Sequence, residues 1–96
     1  MEIFLFARLH ARSGLQGELR QAIQEVQGPT RCEPGCLEIH AFQSVGDPDE
    51  FYIHSHWKDT AAFEEHVRQP HTTRFCDRVD QVMDHPLRPV LTRLLP

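Results

Sequence analysis

The sequence predicts an α+β fold, a ferredoxin-like βαββαβ antiparallel sheet with its helices on one face. Three observations lead there. Apolar residues alternate with period two in three short stretches, they recur at helical spacing in others, and glycine- and proline-rich turns separate the stretches. Two strand–helix crossovers around a central hairpin close into that topology, because right-handed crossovers return each strand beside an earlier one.

Residues 3–10 read as the first strand, with Ile3, Leu5, Ala7 and Leu9 on one face and Phe4, Phe6, Arg8 and His10 on the other. Ser13 followed by Gln16 fits a capping box, in which both side chains satisfy free amides at a helix start. Leu15, Leu19, Ile23 and Val26 then form one apolar helical stripe. Gly28 and Pro29 weaken that helix, and Pro34 with Gly35 turns the chain. A second strand is expected over about 36–45, placing Leu37, Ile39 and Ala41 together. Gly46, Asp47, Pro48 and Asp49 are dense turn chemistry, so the next strand, 51–57, returns antiparallel. Phe51, Ile53, Ser55 and Trp57 share one of its faces, and Tyr52, His54 and His56 the other. A hairpin folded about position 48 sets His40 opposite His56. Asp59 caps the second helix. Pro70 breaks that helix, and the segment after it carries the stripe Phe75, Val79, Val82 and Met83. Asp84, His85 and Pro86 stop it. Residues 87–95 read as a last strand, whose Pro89 suits an edge.

Bulk properties narrow the function. Ninety-six residues make one domain, 1–96, with a thin core, so exposed apolar sheet surface favours pairing with a second copy. The formal charge is −4, with 14 acids interspersed among 10 bases, which leaves no basic stripe for nucleic acid. No apolar run is long enough to span a membrane. The start lacks a secretory signal, and three cysteines without a C-x-x-C pair read as reduced thiols, so a cytoplasmic location is expected.

Seven histidines are the main chemical resource. His66 follows Phe63 by three positions and so shares its helical face, toward Trp57; an imidazole there can exchange a proton near neutral pH. A helix histidine bonded to a carbonyl is the bland alternative. His71, just after Pro70, can reach the same pocket mouth or simply sit in solvent at a helix start. His54 and His56 share a strand face with His40, a set of three imidazoles that suits a metal. No carboxylate with a ligand motif accompanies them, and no metal site is expected. Trp57, Phe63 and Phe75 are the aromatic walls of a pocket, or plain core. Arg31, Arg74 and Arg78 are solvated charges by default, and one of the three is available to hold an anionic or phenolate oxygen at the pocket entrance. Cys32 and Cys36 match no redox motif. No phosphate loop, nucleophile elbow or dinucleotide fingerprint occurs.

Taken together, Glu33-Pro34-Gly35-Cys36-Leu37, Phe51, Trp57, Phe63, His66, Pro70-His71 and Phe75 resemble the antibiotic biosynthesis monooxygenase (ABM) domain family along essentially the whole chain. The resemblance implies a dimeric α/β barrel of two ferredoxin-like subunits packed sheet to sheet, with a pocket between sheet and helices in each. It implies a cofactor-independent monooxygenase that oxidises a small aromatic, phenolic or quinol-like compound with molecular oxygen. His66 and His71 would be its catalytic bases, and Trp57, Phe63, Phe75 and Arg74 would bind substrate. Two departures stand out. Ser55 occupies a position, two before the tryptophan, where the family often has Glu, and the chain contains no asparagine. A second resemblance, through His66, Pro70-His71, Cys76 and the Leu94-Leu95-Pro96 ending, is to the autoinducer-2 phosphate isomerase branch, which shifts protons on a small phosphorylated carbonyl compound. A non-catalytic ligand-binding dimer is the third reading.

Overall fold

The computed structural model describes Met1–Pro96 as seven elements: β1 (Ile3–His10), α1 (Gln16–Arg31), β2 (Cys36–Gln43), β3 (Glu50–Trp57), α2 (Thr60–Val67), α3 (Pro70–Val82) and β4 (Val90–Thr92). The strands form one antiparallel sheet in the order β2-β3-β1-β4, the ferredoxin-like arrangement expected from the hairpin and its two crossovers.

The core lies between the sheet and the α1–α3 layer. Leu5, Ala7 and Leu9 of β1, Ile39 of β2 and Phe51 and Ile53 of β3 pack against Leu19, Ala22 and Ile23 of α1 and Val79, Val82 and Met83 at the end of α3. Each buried branched side chain contributes about 1.5–3 kcal/mol by leaving water, which makes this compact set the main holding force. On the opposite sheet face Phe6, Phe42 and Tyr52 remain 41–54% exposed. There Phe4 stacks on His56 and Phe6 on His54, at centroid separations of 4.1 and 4.6 Å.

Four local expectations are revised. The capping box does not form: Gly14 takes a left-handed conformation (φ 83°), the helix begins later, and Leu15 occupies the cap without a side-chain bond. Gln16 instead donates to the Pro48 carbonyl, tying the helix start to the β2–β3 turn. Pro29 lies in the last turn of α1, where Cys32 N–H still reaches the Gly28 carbonyl beyond it. Leu37 is half-exposed, since a bulge between Cys36 and Glu38 throws it out of phase and Cys36 packs inward in its place. The hairpin pairs His40 with His54 rather than with His56. His40 is bonded to Glu38, His54 to the Leu5 carbonyl and His56 to Glu2, so each of the three imidazoles has a separate partner. The last strand is also shorter than expected, pairing with the β1 edge only through Val90–Thr92.

Asp59 caps α2 as expected, its Oδ1 accepting from Ala62 N at 2.8 Å. Pro70 starts α3, a position where its missing N–H costs nothing. The helix α2 contributes no fully buried residue.

Candidate functional site

Three elements meet at one carboxylate. Glu33 stands in the turn after α1, His66 on the last turn of α2, and His71 on the first turn of α3. Glu33 Oε2 lies 2.7 Å from His66 Nδ1 and 2.8 Å from His71 Nε2. All three side chains are 10–16% exposed, so these are sheltered, charge-assisted bonds rather than surface pairs. The break at Pro70 is what brings the imidazoles together, with ring centroids 6.1 Å apart. Thr72 Oγ1 adds a longer contact to His66 Nδ1 at 3.3 Å.

A carboxylate can only accept, so the proton on His66 resides on Nδ1 and the lone pair on Nε2. Nε2 makes no hydrogen bond within the chain. Thr30 Oγ1 is the sole fully enclosed side-chain polar atom without a partner, so His66 Nε2 keeps access to open space. Burial pushes the His66 pKa below its usual 6.5, and the Glu33 carboxylate opposes that shift without cancelling it. The result is a neutral imidazole with a directed lone pair.

His66 also borders a half-open apolar cavity of about 100 Å³ between the sheet and the helices. Leu5, Ile39 and Ile53 form its floor, Phe63, Phe75 and Leu87 its sides, and Thr30, Ser55 and His66 its polar points. Trp57 lies on the same side of the sheet as His66 but is fully buried, and it packs straight onto the imidazole with centroids 4.5 Å apart. No hollow separates those two rings; the cavity opens on another side of His66, and the indole stands behind it as a backing wall. Trp57 Nε1 donates to Ser55 Oγ at 2.9 Å. Phe63 meets the indole edge-on at 6.0 Å. Arg74 sits elsewhere, in a groove of about 350 Å³ between α1 and α3 that also contains His71, Phe75 and Arg78. Arg78 there is already paired with Glu25.

The same cluster offers a cation two nitrogens and an oxygen, since one ligand atom from each of Glu33, His66 and His71 lies within 4.8 Å of the others. His10, Asp47 and Asp49 make a second such group at the surface.

Sequence reasoning picked out His66, His71, Phe63 and Phe75, and all four adjoin this region. It did not place Glu33, Thr30 and Thr72 here. Glu33 carried a signal, as the first residue of the Glu-Pro-Gly run, but nothing local says that a loop carboxylate will meet two later helices.

The chain matches the family model described as antibiotic biosynthesis monooxygenase over residues 3–78. Two relatives are provisionally named monooxygenases. Rv0793 of Mycobacterium tuberculosis is 25% identical over 85 residues, covering 88% of this chain and 83% of its own. YcnE of Bacillus subtilis is 27% identical over 92 residues, covering 96% of this chain and 97% of its own. The solved structure of Rv0793 superposes with a TM-score of 0.94 at 22% identity, covering 100% of this chain and 97% of that one, which establishes the shared fold.

Proposed function

The chain belongs to the antibiotic biosynthesis monooxygenase family, and from that premise we propose that it oxidises a small phenolic or quinol-like compound with molecular oxygen, using no cofactor and His66 as general base. The observation that carries this reading is His66, held by Glu33 through Nδ1, its pKa lowered by burial, at the border of an apolar cavity. Nε2 takes the proton of a bound hydroxyl, and the Glu33 carboxylate stabilises the imidazolium that forms. The resulting anion is electron-rich and transfers electrons to oxygen directly. For a quinol the balance closes without another reductant: one oxygen atom joins the ring, the other leaves as water, and the quinol, ending as a hydroxyquinone, supplies all four electrons. Apolar walls favour this by keeping water from the anion. Trp57 backs the base, Phe63 and Phe75 contact the ring, and Arg74 holds anionic groups at the outer groove.

The unpartnered aromatic sheet face, with Phe6, Phe42 and Tyr52, fits a second copy of the chain. A proton-shuttling isomerase is the second reading, and one observation favours it. Two imidazoles share one carboxylate, a layout suited to taking a proton from one carbon and returning it to the next.

Oxygen uptake with a panel of quinols and phenols is the test. Uptake by the wild type, lost in His66→Ala and unaffected by a metal chelator, supports the oxygenase. Anaerobic isomerisation of a small hydroxycarbonyl compound, lost in the same variant, supports the second reading. Unchanged behaviour of His66→Ala in both assays overturns each and leaves a non-catalytic binding module.

A further inference from the structure

Two helices and a turn aim three metal-ligating groups at one point. His66 Nδ1 and His71 Nε2 both address the same oxygen, Glu33 Oε2, at 2.7 and 2.8 Å. One ligand atom from each residue lies within 4.8 Å of the others. Two imidazole nitrogens and a carboxylate oxygen are a donor set that divalent first-row transition ions take, with the remaining position left to water. The three side chains are sheltered but not sealed, which leaves a cation a way in. Imidazoles ligate only when neutral, and burial favours the neutral form of His66.

The other histidine groups lack one of these properties. His40, His54 and His56 each bond a different partner. His10 forms a group with Asp47 and Asp49, but its ring is already held between Asp47 and Asp84, whose side chains are exposed. Shelter and a common focus coincide at Glu33.

We propose that Glu33, His66 and His71 bind a divalent transition ion, zinc being matched to three protein ligands and an open fourth position. Ligand bonds of about 2.0–2.1 Å from each nitrogen set the ion just short of the present Oε2 position, and the carboxylate draws back by roughly an ångström. Glu33 lies in a turn and His66 on a helix with no fully buried residue, so both can adjust. Occupancy has a consequence that rests on reading His66 as the base. An ion on Nδ1 leaves the ring proton on Nε2 and so removes the lone pair that accepts the substrate proton. Zinc is then an inhibitor of the cofactor-free reaction.

The experiment titrates zinc sulfate into untagged, chelator-stripped protein by calorimetry and follows the imidazole nitrogen-15 signals. One zinc per chain is expected, with hydrogen moving to His66 Nε2 and His71 Nδ1. His66→Ala, His71→Ala and Glu33→Gln should each weaken binding beyond the roughly 10- to 100-fold that outer-shell changes cost, and His10→Gln should leave it unchanged. The wild-type nitrogen signature needs no variant, so it decides the matter even where a variant unfolds. Zinc that leaves the His66 and His71 signals unmoved, or that is lost in His10→Gln but not in His71→Ala, overturns the site. So does an absence of stoichiometric binding. Oxygen uptake measured in parallel separates the two ideas. Zinc bound at one per chain with uptake undiminished upholds the site and refutes His66 as base; no zinc binding, with uptake lost in His66→Ala, does the reverse.

Discussion

Replacing Glu33 by Gln tests the centre of the site with little change of shape. The carboxylate accepts from two imidazoles, at 2.7 and 2.8 Å, in surroundings where its side chain is only 10% exposed. Both bonds fall on the same oxygen, so a Gln with its oxygen at that point still accepts from both rings but without the charge, whereas one with its nitrogen there donates to both. If it donates to His66, that ring takes the opposite tautomer, Nε2 carries hydrogen, and the base is lost. Loss of one charge-assisted bond to the imidazolium is worth about 1.5–3 kcal/mol, a rate effect of roughly 10- to 150-fold. Tautomer reversal raises the expected loss to about 10⁴-fold, by analogy with the acid-to-amide change in serine protease triads.

The pH dependence has a definite sign. Glu33 holds the His66 pKa up against burial, so Glu33→Gln moves the acid limb of kcat/KM to lower pH while the plateau falls. Nitrogen-15 NMR of the imidazoles reads the tautomer without any substrate. Unfolding measurements at pH 5 and 7.5 read the linkage. The folded pKa lies below the unfolded value of 6.5, so this group's stabilisation is present above 6.5 and is lost as pH falls toward the folded value, more steeply in the variant. An acid limb that moves up, or a wild-type His66 already protonated on Nε2 at neutral pH, refutes the reasoning.

Three further outcomes are expected. A Cβ on Gly35 would stand 2.2 Å from the Ala62 Cβ, so Gly35→Ala should lower stability by about 1–3 kcal/mol in urea denaturation, with partial rescue by Ala62→Gly. His10 bridges Asp47 and Asp84 at 2.9 and 2.6 Å, and the two carboxylates raise its pKa above 6.5. That contribution is full below 6.5 and fades as pH rises through the folded value, so His10→Gln should lower Tm at pH 6 and much less at pH 9. Substituting Lys for Phe42, which is 54% exposed on the bare sheet face, should shift the sedimentation coefficient from dimer to monomer; a monomeric wild type would refute the pairing.

The sheet order and the helix layer were legible because period-two and helical stripes sit in separate stretches with unmistakable turns between them. The inward set on β3 and the Val79–Met83 stripe follow directly from that phase. The Leu37 phase and the His40 partner were not legible, since one bulged residue or one step in a turn shifts a whole register without altering composition. Histidine placement on α2 and α3 could be read from spacing from Phe63 and from Pro70. Glu33 could not, because its partners lie 33 and 38 positions later and meet it only after the crossover closes. Trp57 was correctly placed facing the helices, but whether an inward ring lines a hollow or fills it depends on side-chain packing.

The lack of any fully buried residue on α2 has a kinetic consequence. This short helix carries Phe63, His66 and Val67, which form one wall of the cavity, and it is anchored by the Asp59 cap, by Phe63 and His66 against the indole, and by the His66–Glu33 bond, with no fully buried side chain of its own. Its undocking free energy is therefore well below that of global unfolding. Amides of α2 should exchange with deuterium sooner than those of α1. The geometry of the His66 base is therefore governed by the eight residues of this lightly buried helix.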